Sequence, residues 1–388
     1  MTERRRIAVL TTARSDFCIL RPVLSAMREV ASLQPLVIAG GAHLSPRFGS
    51  TWADIPAAGF EISAKLDFLG SGDRPSDIAH SMARALELAA DSLADLSPDV
   101  LVVLGDRWET LAVASAAAVL GTPIAHLHGG ELSIGAIDDC FRHAITKLSH
   151  LHFVATEAYA ARVRQLGEEE WRITVCGAPG LDNLKSQPIL PPAALSEALG
   201  TALPERFILA TLHPVTTLPG SAGRHVSEFL SALDAVGRPV VFTLAGADAG
   251  GDTINAAIAE FVTRRTDCRV VASFGAFYAS ALAAADAMVG NSSSGIIEAA
   301  SFRLPVVNVG PRQDGRDRGG NVIDCGHESA EIAAALCKAL EPGFRDRLEA
   351  ANPYDQGGAA AIIATKLAEA PLGPHLLTKR FVDQPGGA

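Results

Sequence analysis

Within Pro123-Ile124-Ala125-His126-Leu127-His128-Gly129-Gly130-Glu131-Leu132-Ser133-Ile134-Gly135-Ala136-Ile137-Asp138-Asp139-Cys140-Phe141-Arg142-His143-Ala144-Ile145-Thr146-Lys147, the part from Gly129 to Lys147 is the stretch around which the chain is organised. The whole run reads as an apolar strand over Pro123 to Leu127, then a glycine-rich loop, then a helix. Strand, polar loop and helix in that order form the repeating unit of a doubly wound α/β fold. On the helix Asp138 and Arg142 are four residues apart, as are Asp139 and His143, so each pair shares a face. A loop carboxylate, Glu131, beside a helix presenting acid, base and cation is what proton-transfer chemistry needs. The plainer alternative is that Asp138 and Asp139 favour the positive end of a helix dipole, with Lys147 near the other end. Glu131, in a two-glycine loop at a strand's carboxyl end, is harder to explain that way.

Moving outward, the 388 residues are enough for two ordinary domains. At 48% hydrophobic and 20% charged, the chain has material for large cores and none of the signature of disorder. A formal net charge of -10 argues against nucleic acid as a partner, although an acidic protein can still hold phosphates locally. Cys18, Cys140, Cys176, Cys268, Cys325 and Cys337 show no CxxC spacing and read as reduced thiols, not as a disulfide or zinc framework. Arg4-Arg5-Arg6 precedes an apolar run, Ile7 to Leu10, far too short for a signal peptide. No apolar run reaches the length of a membrane span. The expectation is a soluble, cytoplasmic protein with no membrane association and no metal or other cofactor.

The first half alternates strand and helix. Ile7 to Leu10 is a strand, Thr11 to Asp16 a polar loop, and Phe17 to Val30 a helix with Phe17, Leu20, Leu24 and Met27 on one face. Arg14 at that turn could reach a phosphate or pair with Asp16. Leu36 to Ala39 is a strand, Leu66 to Pro75 a mobile loop, and Asp77 to Leu96 a helix with Ile78, Met82, Leu86 and Leu93 inward. Asp99 to Leu104 is a buried strand ending in Gly105-Asp106-Arg107, before a helix over Trp108 to Leu120. Asp106 and Glu131 both lie at the carboxyl ends of strands, where open parallel sheets place ligands. Asp106 could instead cap the helix at Trp108. Leu151 to Thr156 and Ile173 to Cys176 are further strands, and Gln187 to Pro192, with three prolines, marks a linker.

The second half repeats the alternation, with strands at Phe207 to Thr211, Val240 to Leu244, Arg269 to Ala272, Ala287 to Val289 and, last, Pro305 to Val309. His213 follows the first of these and precedes Pro214; a buried, satisfied histidine is the alternative to a catalytic one. Gly290-Asn291-Ser292-Ser293-Ser294-Gly295 opens a helix over Ile296 to Ser301, and small hydroxyl residues there make an anion site. Glu298, a turn further in, is placed to bond a ribose, or else lies on the surface while a serine merely caps the helix. Arg312, Arg316 and Arg318 could clamp a diphosphate or form a solvated loop. Ala330 to Leu340 and Ala359 to Ala370 are helices, and the end from Pro371, with Pro385-Gly386-Gly387, reads as frayed. The division expected is 1–185, an N-terminal Rossmann-like domain with the carboxylates; 186–370, a C-terminal Rossmann-like nucleotide-binding domain whose last helix can pack back on the first; and a tail, 371–388. No GxGxxG follows the first strand, so a tightly held NAD is not expected, and Walker and HExxH motifs are absent.

Together these residues resemble the UDP-N-acetylglucosamine 2-epimerase family, and within it the hydrolysing branch that feeds sialic-acid-type sugar synthesis. The matching pieces are Arg14-Ser15-Asp16-Phe17, Gly105-Asp106-Arg107, His128-Gly129-Gly130-Glu131, Asp138 through Lys147, Gly177-Ala178-Pro179-Gly180-Leu181-Asp182, His213-Pro214-Val215-Thr216, Gly290 through Gly295, and Gly315-Arg316 with Asn321-Val322. The similarity as a whole covers roughly residues 6 to 365. The resemblance implies a GT-B fold, two Rossmann-like domains facing across a cleft that holds the sugar. It implies anti elimination of UDP to a 2-acetamidoglucal, then water addition giving N-acetylmannosamine. By the same resemblance Asp106, Glu131, Asp138 and His213 are the catalytic residues. Arg14, Ser292, Ser293, Glu298 and Arg316 bind the nucleotide, and Arg142 and His143 support the cleft. The implied partner is a nucleotide sugar, UDP-N-acetylglucosamine or a relative, and the implied assembly a homodimer or homotetramer.

Three positions in two places depart from the family pattern: Ala245-Gly246 stands where Pro-Asn is common, and Cys18 where glycine is common. The first leaves the amino sugar, and UDP against GDP, open. The alternatives are a non-hydrolysing epimerase, a GT-B glycosyltransferase, and a sugar-nucleotide binding protein without turnover.

Overall fold

Short runs of β-branched and aliphatic residues alternate with amphipathic helices along the whole chain, and they assemble into two parallel sheets. The computed structural model describes residues 4–134, 136–218, 220–246, 248–349 and 351–383. The chain divides into two compact units. Unit 1 runs through Glu131, resumes over Asp138–Asn183 and takes up the chain again from Tyr354; unit 2 comprises Leu132–Ile137 and Leu184–Pro353.

Unit 1 holds β1 (Arg5–Thr11), β2 (Leu33–Gly40), β3 (Ile62–Leu66), β4 (Val100–Leu104), β5 (Ile124–Leu127), β6 (Leu151–Val154) and β7 (Ile173–Val175), in the order β3-β2-β1-β4-β5-β6-β7. All pairs are parallel, with Val9 opposite Val102 and Leu104 opposite Leu127. Val100 to Val103 are fully buried because helices cover both faces, which is why the strand is a continuous apolar run. On one face the helix Arg14–Glu29 packs Phe17, Leu20 and Leu24 with Ile363 and Leu367 of the helix Ala359–Glu369. On the other, Ala85 and Ala89 of the helix Pro75–Leu96 and Ala112 to Ala117 of the helix Trp108–Val119 let two helices approach closely.

Unit 2 holds β8 (Ile208–Thr211), β9 (Val240–Thr243), β10 (Arg269–Val270), β11 (Ala287–Gly290), β12 (Val306–Val309) and β13 (Val322–Cys325), in the order β10-β9-β8-β11-β12-β13. Phe229, Leu233, Ile258 and Leu336 from three helices cover one face of this sheet. Each sheet thus reverses its order once, between β1 and β4 and between β8 and β11. Ligands of doubly wound folds bind beyond the carboxyl ends of the strands at such reversals. Arg14 and Asp106 follow β1 and β4; His213 and Ser292 follow β8 and β11.

Several elements differ from the sequence reading. β3 and β13 were not expected, and β12 is therefore not the last strand. Both are short edge strands in which every residue but Leu66 keeps some exposure, so they lack an apolar signature. The linker over Gln187 to Pro192 shrinks to a few residues between the helices Pro179–Ser186 and Pro192–Leu199, because proline is well placed to start a helix. The helix Gly251–Arg264 also escaped the reading. Leu86 faces solvent at 43% exposure: the small residues Ser81, Ala85 and Ala89 face inward with Leu93, and Ile78 and Met82 pack against the same core only in part. In the loop after β3, Phe68 is tied down against Trp108, ring centroids 5.7 Å apart.

The end of the chain is the largest correction. Residues 371–383 are docked on unit 1, with a short helix at Pro374–Leu377. The buried Arg172 donates to the carbonyls of Leu376 (2.8 Å) and Thr378 (2.9 Å), and Trp171 stacks on His375. Lys379 donates to the carbonyls of Lys147 and Ser149 and pairs with Glu168 at 2.8 Å. Charged anchors were what the sequence concealed, since nothing local marks Arg172 or Glu168 as buried. Pro385-Gly386-Gly387 lie outside the described residues. Among the described residues no helix is long and apolar enough to cross a membrane, and no group of three or more potential metal-binding side chains occurs.

Candidate functional site

The unit 1 side chains converge because β4 and β5 are neighbours. Gly105 N–H donates to the Leu127 carbonyl (2.9 Å), which brings the turn carrying Asp106 beside the loop carrying Glu131. The helix Asp138–Leu148 then lays Arg142 between them. Arg142, 1% exposed, donates to Asp106 and lies 3.5 Å from Glu131. Asp106 keeps 21% of its side chain exposed, whereas Glu131 is buried. One permanently charged guanidinium thus faces two carboxylates of different accessibility. Asp106 does not cap the helix at Trp108; that position is Arg107, whose guanidinium forks onto the buried Glu109.

The loop between β5 and Glu131 is under constraint. His128 adopts a left-handed backbone, φ +63°, at a cost of about 1–2 kcal/mol for a residue with a Cβ. Its N–H donates to the Phe153 carbonyl, and its Nδ1 lies 2.5 Å from Glu131 Oε1. Gly130, φ +75°, packs against the Tyr159 carbonyl, where a Cβ would stand 2.5 Å away, and its own carbonyl accepts from Arg162. Strain held by several tertiary contacts is common at functional sites. His128 was not among the sequence candidates, although it stands between an apolar strand and two glycines.

The other sequence candidates of unit 1 lie at the start of the helix Arg14–Glu29 and on the helix Asp138–Leu148. Arg14 pairs with Asp54 at 2.9 Å, not with Asp16, which instead accepts from Thr12 and Ala13. Asp138 is the first residue of its helix. His143 pairs with Asp139 at 3.6 Å, as the four-residue spacing suggested, and burial lowers its pKa from the ordinary value.

In unit 2 the turn after β11 is built on Gly290 and Asn291. Gly290, φ +132°, passes so close to β8 that a Cβ would stand 1.8 Å from the Thr211 carbonyl. Asn291, fully buried, accepts from His213 N–H (2.7 Å) and donates to the His213 carbonyl (2.9 Å). Its own carbonyl accepts from Gln313 (2.8 Å) and Arg312 (3.2 Å). One amide therefore fixes the loops bearing His213, Ser292 and Arg312 at the reversal of the sheet. Sequence reasoning passed over Asn291 because its partners are distant in the chain.

Ser292 caps the helix Ser293–Ile297, accepting from Ser294 N–H, so the helix begins three residues earlier than expected and gives way to a 3₁₀ turn at Ala299–Phe302. Glu298 accepts from the Ser294 hydroxyl, which also lies 2.6 Å from the Tyr278 hydroxyl. Arg316 donates to the Leu132 carbonyl (3.0 Å) and Ser133 Oγ (3.1 Å), and Thr216 Oγ1 accepts from Ile137 N–H (3.0 Å). The segment 132–137 is thereby held within unit 2, although it leads directly into the helix of unit 1 that carries Asp138 and Arg142.

A sequence model of the UDP-N-acetylglucosamine 2-epimerase family matches residues 25–368. A GDP/UDP-N,N'-diacetylbacillosamine 2-epimerase (hydrolyzing) of Campylobacter jejuni is 38% identical over 324 residues, 83% of this chain and 84% of that protein. The UDP-N,N'-diacetylbacillosamine 2-epimerase (hydrolyzing) of Legionella pneumophila is 34% identical over 376 residues, 97% of this chain and 98% of that protein. Among solved structures, that of a UDP-GlcNAc 2-epimerase from Neisseria meningitidis bound to UDP-GlcNAc superposes with a TM-score of 0.79 at 17% identity, covering 94% of this chain and 100% of that one. That likeness carries the fold, two Rossmann-type units of the GT-B class.

Proposed function

From the premise that this chain belongs to the UDP-N-acetylglucosamine 2-epimerase family, we propose that it is a hydrolysing 2-epimerase acting on a UDP-linked 2-acetamido sugar. The two relatives named for N,N'-diacetylbacillosamine favour that sugar over N-acetylglucosamine as the substrate. The observation that carries the reading is the grouping of Asp106, Arg142, Glu131 and His128 in unit 1.

The chemistry follows from the substrate. The proton at C2 is weakly acidic, so departure of the diphosphate leads and leaves oxocarbenium-like charge at C1. Carboxylates of the Asp106, Glu131 and Asp138 set stabilise that charge, and one of them takes the C2 proton, giving a 2-acetamido glycal. A well-placed base contributes on the order of 100- to 10,000-fold. Water then adds from the face that inverts C2, and the free sugar leaves. Asp106 is the favoured base, being the carboxylate of the pair with Arg142 that solvent reaches. Ser292, Ser293, Glu298, Arg316 and Arg14 bind the nucleotide, with backbone N–H groups and guanidinium charge stabilising the leaving diphosphate. His213 serves the departing or entering oxygen, and His143 supports Asp139. No metal or other cofactor takes part, and the enzyme works as a homodimer or homotetramer in the cytoplasm.

The test is product NMR with purified protein and a panel of UDP-N,N'-diacetylbacillosamine, UDP-N-acetylglucosamine and their GDP counterparts in D2O. Free C2-inverted sugar, free UDP and deuterium at C2 are expected. A product still linked to nucleotide would instead identify a non-hydrolysing epimerase, and tight UDP binding without deuterium uptake a binding protein.

A further inference from the structure

Three segments deliver the unit 1 side chains of the candidate site: the turn with Asp106, the loop with Glu131, and the helix with Arg142. One side chain outside that set touches all three. His126, fully buried in β5, has Nε2 2.6 Å from the Gly105 carbonyl and Nδ1 3.2 Å from Thr146 Oγ1. Gly129 packs on the same place: a Cβ there would stand 3.0 Å from His126 Nδ1 and 3.1 Å from Thr146 Oγ1. A carbonyl can only accept, so the ring proton sits on Nε2 and Nδ1 accepts from the Thr146 hydroxyl. Both ring nitrogens are then satisfied, and the ring is a neutral strut. Burial agrees, lowering the His126 pKa to about 3.

We propose that His126 is a positioning residue, setting the spacing of Asp106, Glu131 and Arg142 through Gly105, Gly129 and Thr146 without touching substrate. Gly105 immediately precedes Asp106; Gly129 lies two residues before Glu131; Thr146 is one turn beyond Arg142 on the same helix. The role rests on the 2-epimerase reading above. A histidine that only filled the core would affect folding and nothing else.

The experiment compares His126→Leu, His126→Gln and Thr146→Val in turnover, UDP affinity by titration calorimetry, and amide exchange over residues 138–148. For His126→Leu, kcat falls about 100-fold while KM and UDP affinity stay within about threefold, since a displacement near 1 Å suffices for such a loss. Exchange over 138–148 accelerates. Gln can still donate to the Gly105 carbonyl and recovers at least about tenfold of the lost kcat. Thr146→Val, which removes one hydrogen bond, lowers kcat about fivefold. Four results would overturn the proposal: turnover of the Leu variant near that of the parent, loss of UDP affinity in step with kcat, a Gln variant no better than Leu, or unchanged exchange over 138–148. Should His126→Leu fail to fold, the Gln and Val variants decide. If the parent protein turns over none of the panel, the epimerase reading fails, while unchanged exchange in the variants would separately refute the strut.

Discussion

Replacing Arg142 by Met tests the electrostatic arrangement directly. The guanidinium and Glu131 are both 1% exposed and 3.5 Å apart, and Asp106 holds the other edge. With an effective dielectric constant of 20, two unit charges at that distance attract by about 5 kcal/mol. Stripping one partner from a buried pair costs about 3–5 kcal/mol, because the remaining charge is left uncompensated. The double variant Arg142→Met/Glu131→Gln removes that charge as well and should recover at least about 2 kcal/mol. Trp52, Trp108 and Trp171 all belong to unit 1, so tryptophan fluorescence during urea unfolding reports this unit alone. A loss below about 1 kcal/mol for the single variant, or a double variant no more stable than the single, would refute the reasoning.

Asp106→Asn should lower kcat by about 100- to 10,000-fold while UDP affinity, measured by calorimetry, is retained; parallel losses would move Asp106 to binding. Gly290→Ala should destabilise unit 2 and abolish UDP binding, since the new methyl group meets the Thr211 carbonyl; an unchanged melting temperature and UDP affinity would contradict the turn described. Burial alone would raise the Glu168 carboxyl, but hydrogen bonds from His152, Lys147 and Lys379 outweigh it and hold the pKa at about 2 instead of 4.5. A folded pKa below the unfolded one means that this stability, on the order of 3 kcal/mol, is complete above about pH 4.5 and is lost as pH falls towards 2. Pepsin cleavage near Leu376 and Phe381 should therefore accelerate over that window, and Glu168→Gln should flatten the profile.

The α/β alternation was legible because buried parallel strands such as Val100 to Leu104 are continuous apolar runs between polar loops. Asp106 and Glu131 were legible because each ends such a run beside glycine. What the sequence hid were pairings between distant residues. Asn291 looks like a loop residue until the two strands that flank it, β8 and β11, are known to be neighbours. His126 sits inside a strand, where a histidine usually signals nothing. The docked tail rests on Arg172 and Glu168, whose burial depends on partners about 200 residues away for Arg172 and on Lys379 for Glu168. Arg14 was read by proximity in sequence, and its partner Asp54 comes from another part of unit 1.

The return of the chain to unit 1 at Tyr354 has a consequence for biosynthesis. The helix Ala359–Glu369 supplies Ile363 and Leu367, both fully buried, to the sheet face nearest the helix Arg14–Glu29. During translation that face lacks one of its two covering helices until the ribosome has released the whole second unit, which can close its own core first. Nascent chains therefore complete their halves in reverse of the usual amino-terminal-first order. A premature stop anywhere before residue 359 would yield a polypeptide with a greasy, unfinished first half, prone to aggregation and to capture by chaperones.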